Sequence, residues 1–205
     1  MRLLAIETAT ETCSVALFHD GQLIGHVHER VGRGHAERLI PMIAELPDQG
    51  RAEIVLVDCG PGSFTGVRVG LAAARAFGFA WGAEVRGYSS LALIAATAFD
   101  ATATLDSLAV ALIGGHGEYF VQRFARQGVR PIAPLRSLRP EEAALACGAD
   151  AIAGSGAEAM AKAGAAGPLL SVEPDARATR LLPGDLASLP PSPIYGRAPD
   201  ARLPA

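Results

Sequence analysis

Leu3-Leu4-Ala5-Ile6-Glu7-Thr8, Cys13-Ser14-Val15-Ala16-Leu17-Phe18-His19 and Gln22-Leu23-Ile24-Gly25-His26-Val27-His28 are three strand-like runs placed almost end to end. Asp20-Gly21 separates the last two, and an Asp-Gly pair between such runs marks a tight hairpin, because both central positions of the turn need positive φ. The chain therefore opens with three adjacent strands. Beyond them, Leu39, Met42, Ile43 and Leu46 fall at helical spacing over residues 36–46, and Pro41 is expected to kink that helix or lie near its start. Residues 54–57 read as a buried β-branched strand, 60–66 as a loop, and the alanine-rich stretch 67–81 as the next helix. A fifth strand at 84–88 follows, with Ser89 or Ser90 placed to cap a helix starting near Leu91.

Residues 97–106 read as the crossing to a second half. That half has strands at 108–113 and 119–124 around a Gly114-Gly115 turn, then helices near 141–146 and 158–163. The proline-rich tail from Pro183 is expected to wrap a surface or stay unordered. Three hairpin-linked strands followed by alternating helices and strands predict an α/β lobe with a mixed sheet. A shorter second half that restarts with strands suggests duplication of the plan, with lobes at 1–98 and 99–205.

Composition narrows the function classes. The 205 residues are 50% hydrophobic, enough for a substantial core. A net charge of -3 argues against binding nucleic acid by bulk electrostatics, so any such contact must be local or shared with a partner. Cys13, Cys59 and Cys147 are far apart, odd in number and without CxxC spacing, which points to a reducing compartment and to cysteines used as small core residues. The first apolar run reaches Glu7 too soon for a signal-peptide core or a membrane span, so a cytoplasmic protein is expected.

Several stretches could carry chemistry. In the turn from Glu7 to Thr12, the Thr8 and Thr10 hydroxyls and turn N–H groups could meet phosphate, and a strand-end carboxylate could hold a hydrated metal. The competing reading is a threonine-rich turn whose hydroxyls bond their own backbone. Gly60-Pro61-Gly62-Ser63-Phe64-Thr65-Gly66-Val67-Arg68-Val69-Gly70 joins a strand to a helix, where glycines let backbone approach a ligand and a helix N-terminus attracts anions. Gly62, Ser63 and Gly66 are its candidate binding residues, with Gly62 expected at positive φ. The loop lacks the Lys-Ser/Thr of a P-loop, and its GxGxxxG spacing is one residue longer than the dinucleotide fingerprint, so a tight structural turn is an equal reading.

The helix over 67–81 offers small residues on most faces and is either deeply buried or part of an interface. His26 and His28 alternate on one strand face, but the sequence places no carboxylate or cysteine beside them, and no metal site is expected. Arg123, Arg126, Arg130, Arg136 and Arg139 run without an acidic residue among them. They form either a solvated face or a local phosphate-contacting patch.

Taken together, residues 4–17, 35–43 and above all the Gly60 to Gly70 loop resemble the TsaB (YeaZ) family, and residues 193–201 are similar to its C-terminal motif. The resemblance implies a two-lobe α/β fold of the actin, sugar-kinase and Hsp70 class. It also implies a non-catalytic role beside the paralogue TsaD, with the ATPase TsaE as a further partner, in attaching a threonylcarbamoyl group to a tRNA adenosine. tRNA would be met through the complex, the free chain could pair with itself, and any nucleotide contact would be weak and shared with the partner. By the same resemblance the helices around 39–46 and 67–81 would form the partner surface, with Leu39, Met42, Ile43, Leu71 and Arg75 as candidate contacts.

Glu7 stands where that family usually has Asp, and Gly114-Gly115-His116-Gly117-Glu118-Tyr119 replaces a segment that usually begins with Asp. TsaD carries an HxxxH metal pair after the corresponding glycine loop and helix; here no histidine occurs between His35 and His116. Alternative readings are a glycoprotease-like peptidase and a small-molecule kinase or ATPase of the same fold. Neither a zinc pair nor a Ser-His-Asp set is recognisable.

Overall fold

The computed structural model describes residues 1–196. Asp20 and Gly21 have φ of 47° and 78°, so β2 (Thr12–His19) turns tightly into β3 (Gln22–Arg30). β1 (Arg2–Glu7) pairs antiparallel with β2 and parallel with β4 (Ile54–Asp58), which pairs with β5 (Glu84–Tyr88). The first sheet therefore runs β3-β2-β1-β4-β5. Helix α1 (His35–Ala44) links β3 towards β4, and α2 (Phe64–Trp81) links β4 to β5.

Pro41 lies inside α1 rather than at its start, on the exposed side. The 97–106 crossing is shorter than expected: α3 (Ser90–Ala101) continues through Thr97, whose hydroxyl donates to the Leu93 carbonyl. Ser89 sits at the N-cap of α3 without a side-chain cap bond, and the Ser90 hydroxyl turns instead to Asp58.

The second sheet is built from β6 (Ser107–Ile113), β7 (Tyr119–Ala125), β8 (Arg130–Pro131), β9 (Arg136–Leu138), β10 (Ala151–Ala153) and β11 (Leu169–Leu170). Its order is β11-β10-β6-β7-β8, with β9 also on β7, and helices α4 (Pro140–Cys147) and α5 (Ala157–Lys162) pack against it. Two mixed sheets with helices give a two-lobe α/β architecture. Helix α3 is the shared wall: Leu91, Ile94, Ala95 and Phe99 pack with Leu56 and Tyr88 of the first sheet and with Leu108, Val110 and Phe124 of the second.

After β11 the chain returns to the first lobe. Residues 173–181 cross β1, β2 and β3, and the proline-rich tail lies against the first lobe as far as Gly196, its remainder falling outside the described residues. Leu189 bridges to Gly87, and Ile194 N donates to the Cys59 carbonyl. Gly87 is required there: a Cβ would lie 2.5 Å from Cys59 Sγ and 2.9 Å from the Pro190 carbonyl oxygen. Among the described residues, no helix is long and apolar enough to cross a membrane.

Candidate functional site

Parallel pairing of β1 with β4 carries Glu7 and Asp58 to the C-terminal ends of two neighbouring central strands of the first sheet. Both are fully buried. Glu7 accepts from Ala9 N (2.8 Å) and the Tyr88 hydroxyl (3.2 Å). Asp58 Oδ1 accepts from Gly60 N and from Ser90 Oγ (2.8 Å), while Asp58 Oδ2 is buried with no fixed donor. Burial pushes the Glu7 carboxyl well above the ordinary carboxylate range, and the neighbouring Asp58 charge pushes it further. Burial raises the Asp58 carboxyl as well, so the pair disfavours two negative charges side by side. The idea of a ligand-holding carboxylate at Glu7 is corrected: its charge is suppressed and the group does not face solvent.

The glycine loop lies directly on the β1–β2 turn. Thr8 is buried, and its hydroxyl donates to the Gly66 carbonyl (2.8 Å). A Cβ on Gly66 would stand 2.0 Å from the Thr8 carbonyl oxygen, and one on Gly62 would stand 2.1 Å from that of Ala9. Ser63 N donates to the Ala9 carbonyl (2.6 Å), and Ser63 Oγ accepts from Gly66 N (3.2 Å), capping α2. These N–H groups already have partners, so loop and turn form a closed clasp. Gly62 is not at positive φ; Gly60 is, at 89°. The glycine requirement at 62 and 66 is steric.

Thr10, Gly62 and Ser63 do line a cleft of about 1740 Å³ between the lobes, and Thr8 and Gly66 do not. Phe64, Arg68 and Tyr195 form one flank, with the Arg68 guanidinium carbon 3.5 Å over the Phe64 ring centroid and Nη2 donating to the Tyr195 hydroxyl (3.4 Å). Gly114, His116, Ser155 and Glu158 lie on the opposite wall. Arg30, also at the cleft, is held by Glu11 (2.7 Å) and Glu173 (3.1 Å).

The outer helices divide cleanly into two faces. Leu39, Met42, Ile43 and Leu71 are buried in the first lobe's core with Leu4, Val15 and Val57, so these four expected contacts face the sheet and not a partner. Arg75 is exposed and donates to the Pro191 carbonyl (2.8 Å). The exposed positions include Ala36, Glu37, Ile40 and Pro41 on α1 and Ala72, Arg75, Ala76, Phe79 and Ala80 on α2, with Ile40 50% and Phe79 93% exposed. The arginine run is partly structural: Arg123 pairs with Asp150 (2.7 Å). Arg126 donates to the carbonyls of Phe99, Thr102 and Leu105 at the end of α3. Arg130, Arg136 and Arg139 stay exposed.

The family model of TsaD, tRNA N6-adenosine threonylcarbamoyltransferase, matches residues 12–165. TsaB of Escherichia coli is 43% identical over 90 residues, covering 42% of this chain and 38% of that protein. TsaB of Haemophilus influenzae is 35% identical over 135 residues, covering 63% and 56%. A solved structure of YeaZ from Pseudomonas aeruginosa superposes with TM-score 0.78 at 28% identity over 95% of this chain and 99% of that one.

The chain belongs to the TsaD family, on its TsaB (YeaZ) branch.

The matched stretches span 38% and 56% of the two curated relatives' lengths, whereas the structural likeness runs through both lobes. The clasped loop and the buried strand-end carboxylates leave few free polar groups at the cleft floor.

Proposed function

We propose that this chain is a non-catalytic subunit for threonylcarbamoyladenosine formation on tRNA and that it acts by binding and activating TsaD. The relatives named TsaB are tRNA threonylcarbamoyladenosine biosynthesis proteins, which supports the pathway. The observation that carries the mode of action is the outward face of α1 and α2, where Phe79 is 93% exposed beside Ala72, Ala76 and Ala80. Small residues let a partner helix approach closely, and a lone exposed aromatic among them is an anchor of the kind that dominates interface energies. The partner is thus met on this face, with TsaE joining the assembly and tRNA contacted through it.

The buried state of Glu7 and Asp58 disfavours a kinase or ATPase of this fold, because a metal-bearing carboxylate would have to face the nucleotide in the cleft. Reconstitution tests the proposal. This chain alone should leave tRNA unmodified, TsaD with TsaE should be slow, and adding the chain should restore modification. Modification or peptide cleavage by the isolated chain, retained after repurification, would overturn the non-catalytic reading.

A further inference from the structure

The outer edge of the first sheet holds a side-chain cluster that neither the cleft nor the helix face uses. β3 is the edge strand, and His26 and His28 lie on one of its faces opposite Ala16 and Ser14 of β2. The segment after β11 crosses this face. Asp175 Oδ1 lies 3.0 Å from His26 Nε2 and Asp175 Oδ2 lies 3.5 Å from His28 Nδ1. Ser14 Oγ accepts from Ala176 N (3.0 Å), and Thr12 Oγ1 donates to the Pro174 carbonyl (3.4 Å). This carboxylate lies 149 residues along the chain from His26, and the fold brings it back from beyond the second sheet.

One nitrogen from each imidazole and one carboxylate oxygen lie within 4.8 Å of one another. A tetrahedral ion with ligands at about 2.0–2.2 Å has ligand-to-ligand edges of roughly 3.3–3.6 Å, close to the two separations above. His28 Nδ1 is buried and makes no hydrogen bond, so its approach to Asp175 is not one that a proton bridges. A buried nitrogen lone pair left over beside a carboxylate and a second imidazole needs a partner, and a cation supplies it.

We propose that His26, His28 and Asp175 form a binding site for a divalent ion of the zinc type, which clips the segment around Asp175 onto strand β3. Two nitrogens and one oxygen suit zinc and not magnesium or calcium, which take oxygen ligands. Three protein ligands leave a fourth position for water. Arg177 is the built-in competitor: its Nε and Nη2 donate to Asp175 Oδ2 at 3.0 and 2.7 Å, and its side chain is exposed enough to swing away.

The full chain, stripped with a chelator, is titrated with Zn²⁺ alone by calorimetry, and amide exchange at Ala176 and Arg177 is followed with and without the ion. One ion should bind per chain and slow exchange at both amides. His28→Ala and Asp175→Asn should each weaken binding by more than about a hundredfold, since losing even an outer-shell partner costs up to that much. Arg177→Ala should tighten it, and His19→Ala, an exposed histidine elsewhere, should leave it unchanged. Asp175→Asn preserves side-chain shape, so it decides the matter even if His28→Ala fails to fold. Absence of stoichiometric Zn²⁺ binding, or binding retained in Asp175→Asn and unchanged in Arg177→Ala, would overturn the site.

Discussion

The two sides of helix α2 use small residues for opposite reasons. On the inner side Gly66 and Gly70 are compulsory, because a Cβ would strike the Thr8 carbonyl at 2.0 Å and the Thr8 hydroxyl at 2.4 Å, while Val67, Leu71 and Ala74 fill the core beside them. On the outer side Ala72, Ala76 and Ala80 touch no such limit and surround the exposed Phe79. Smallness inside closes the turn over the strand ends; smallness outside leaves room for another helix. The inner side should therefore respond to substitution through stability and the outer side through association.

The largest effect is expected at the clasp. Gly66→Ala must move backbone of either β1 or α2, and a loss of about 3 kcal/mol is expected, equivalent to a melting temperature roughly 10 °C lower by calorimetry. Gly62→Val should act the same way through the Ala9 carbonyl and not through backbone φ. Unchanged melting temperatures in both would mean that loop and turn are not in contact.

Next comes a matched pair on one helix. Leu71→Ala should cost about 2–5 kcal/mol by leaving a cavity, whereas Ala76→Glu, at an exposed position, should stay within about 0.5 kcal/mol of the parent. Chemical denaturation of both variants checks the assignment of faces. Equal destabilisation would abolish the distinction.

A smaller, pH-dependent effect belongs to the buried carboxyl pair. Folding raises the pKa of Glu7 above its ordinary 4.5, so the folded chain keeps a proton that the unfolded chain releases. The stability this provides is complete below pH 4.5 and is lost as pH rises towards the folded-state value. Glu7→Gln keeps a side chain of the same shape without a titrating proton. Its stability relative to the parent should rise with pH by about 1.4 kcal/mol per unit until Glu7 ionises. Parallel stability–pH curves for the two chains would show that Glu7 is ionised when folded.

Local patterning made most of the fold legible. The Asp20-Gly21 turn, the β-branched strand at 54–57 and the helical spacing of Leu39, Met42 and Ile43 all report nearest-neighbour physics, and they led to the elements of the first lobe and to its mixed sheet, though not to the strand order. Faces were harder. Leu71 and Ala76 lie on one alanine-rich helix whose periodicity is too weak to separate core from surface, so of the two contacts expected there Leu71 fell on a buried position and Arg75 on an exposed one. The Asp175 carboxylate beside His26 was invisible because it depends on a long-range return of the chain, as does the pairing of Leu189 with Gly87. Thr8 and Gly66 read equally well as ligand-binding or structural until the 2.8 Å bond between them decided it.

The most direct test of the account is a calorimetric titration of purified TsaD with the parent chain and with Phe79→Glu, alongside circular dichroism of both. A buried, unpaired carboxylate at the centre of a helix–helix contact should weaken binding by 2 kcal/mol or more, roughly thirtyfold, with the fold unchanged. Binding of Phe79→Glu to TsaD at parental affinity would contradict the claim that this face meets the partner.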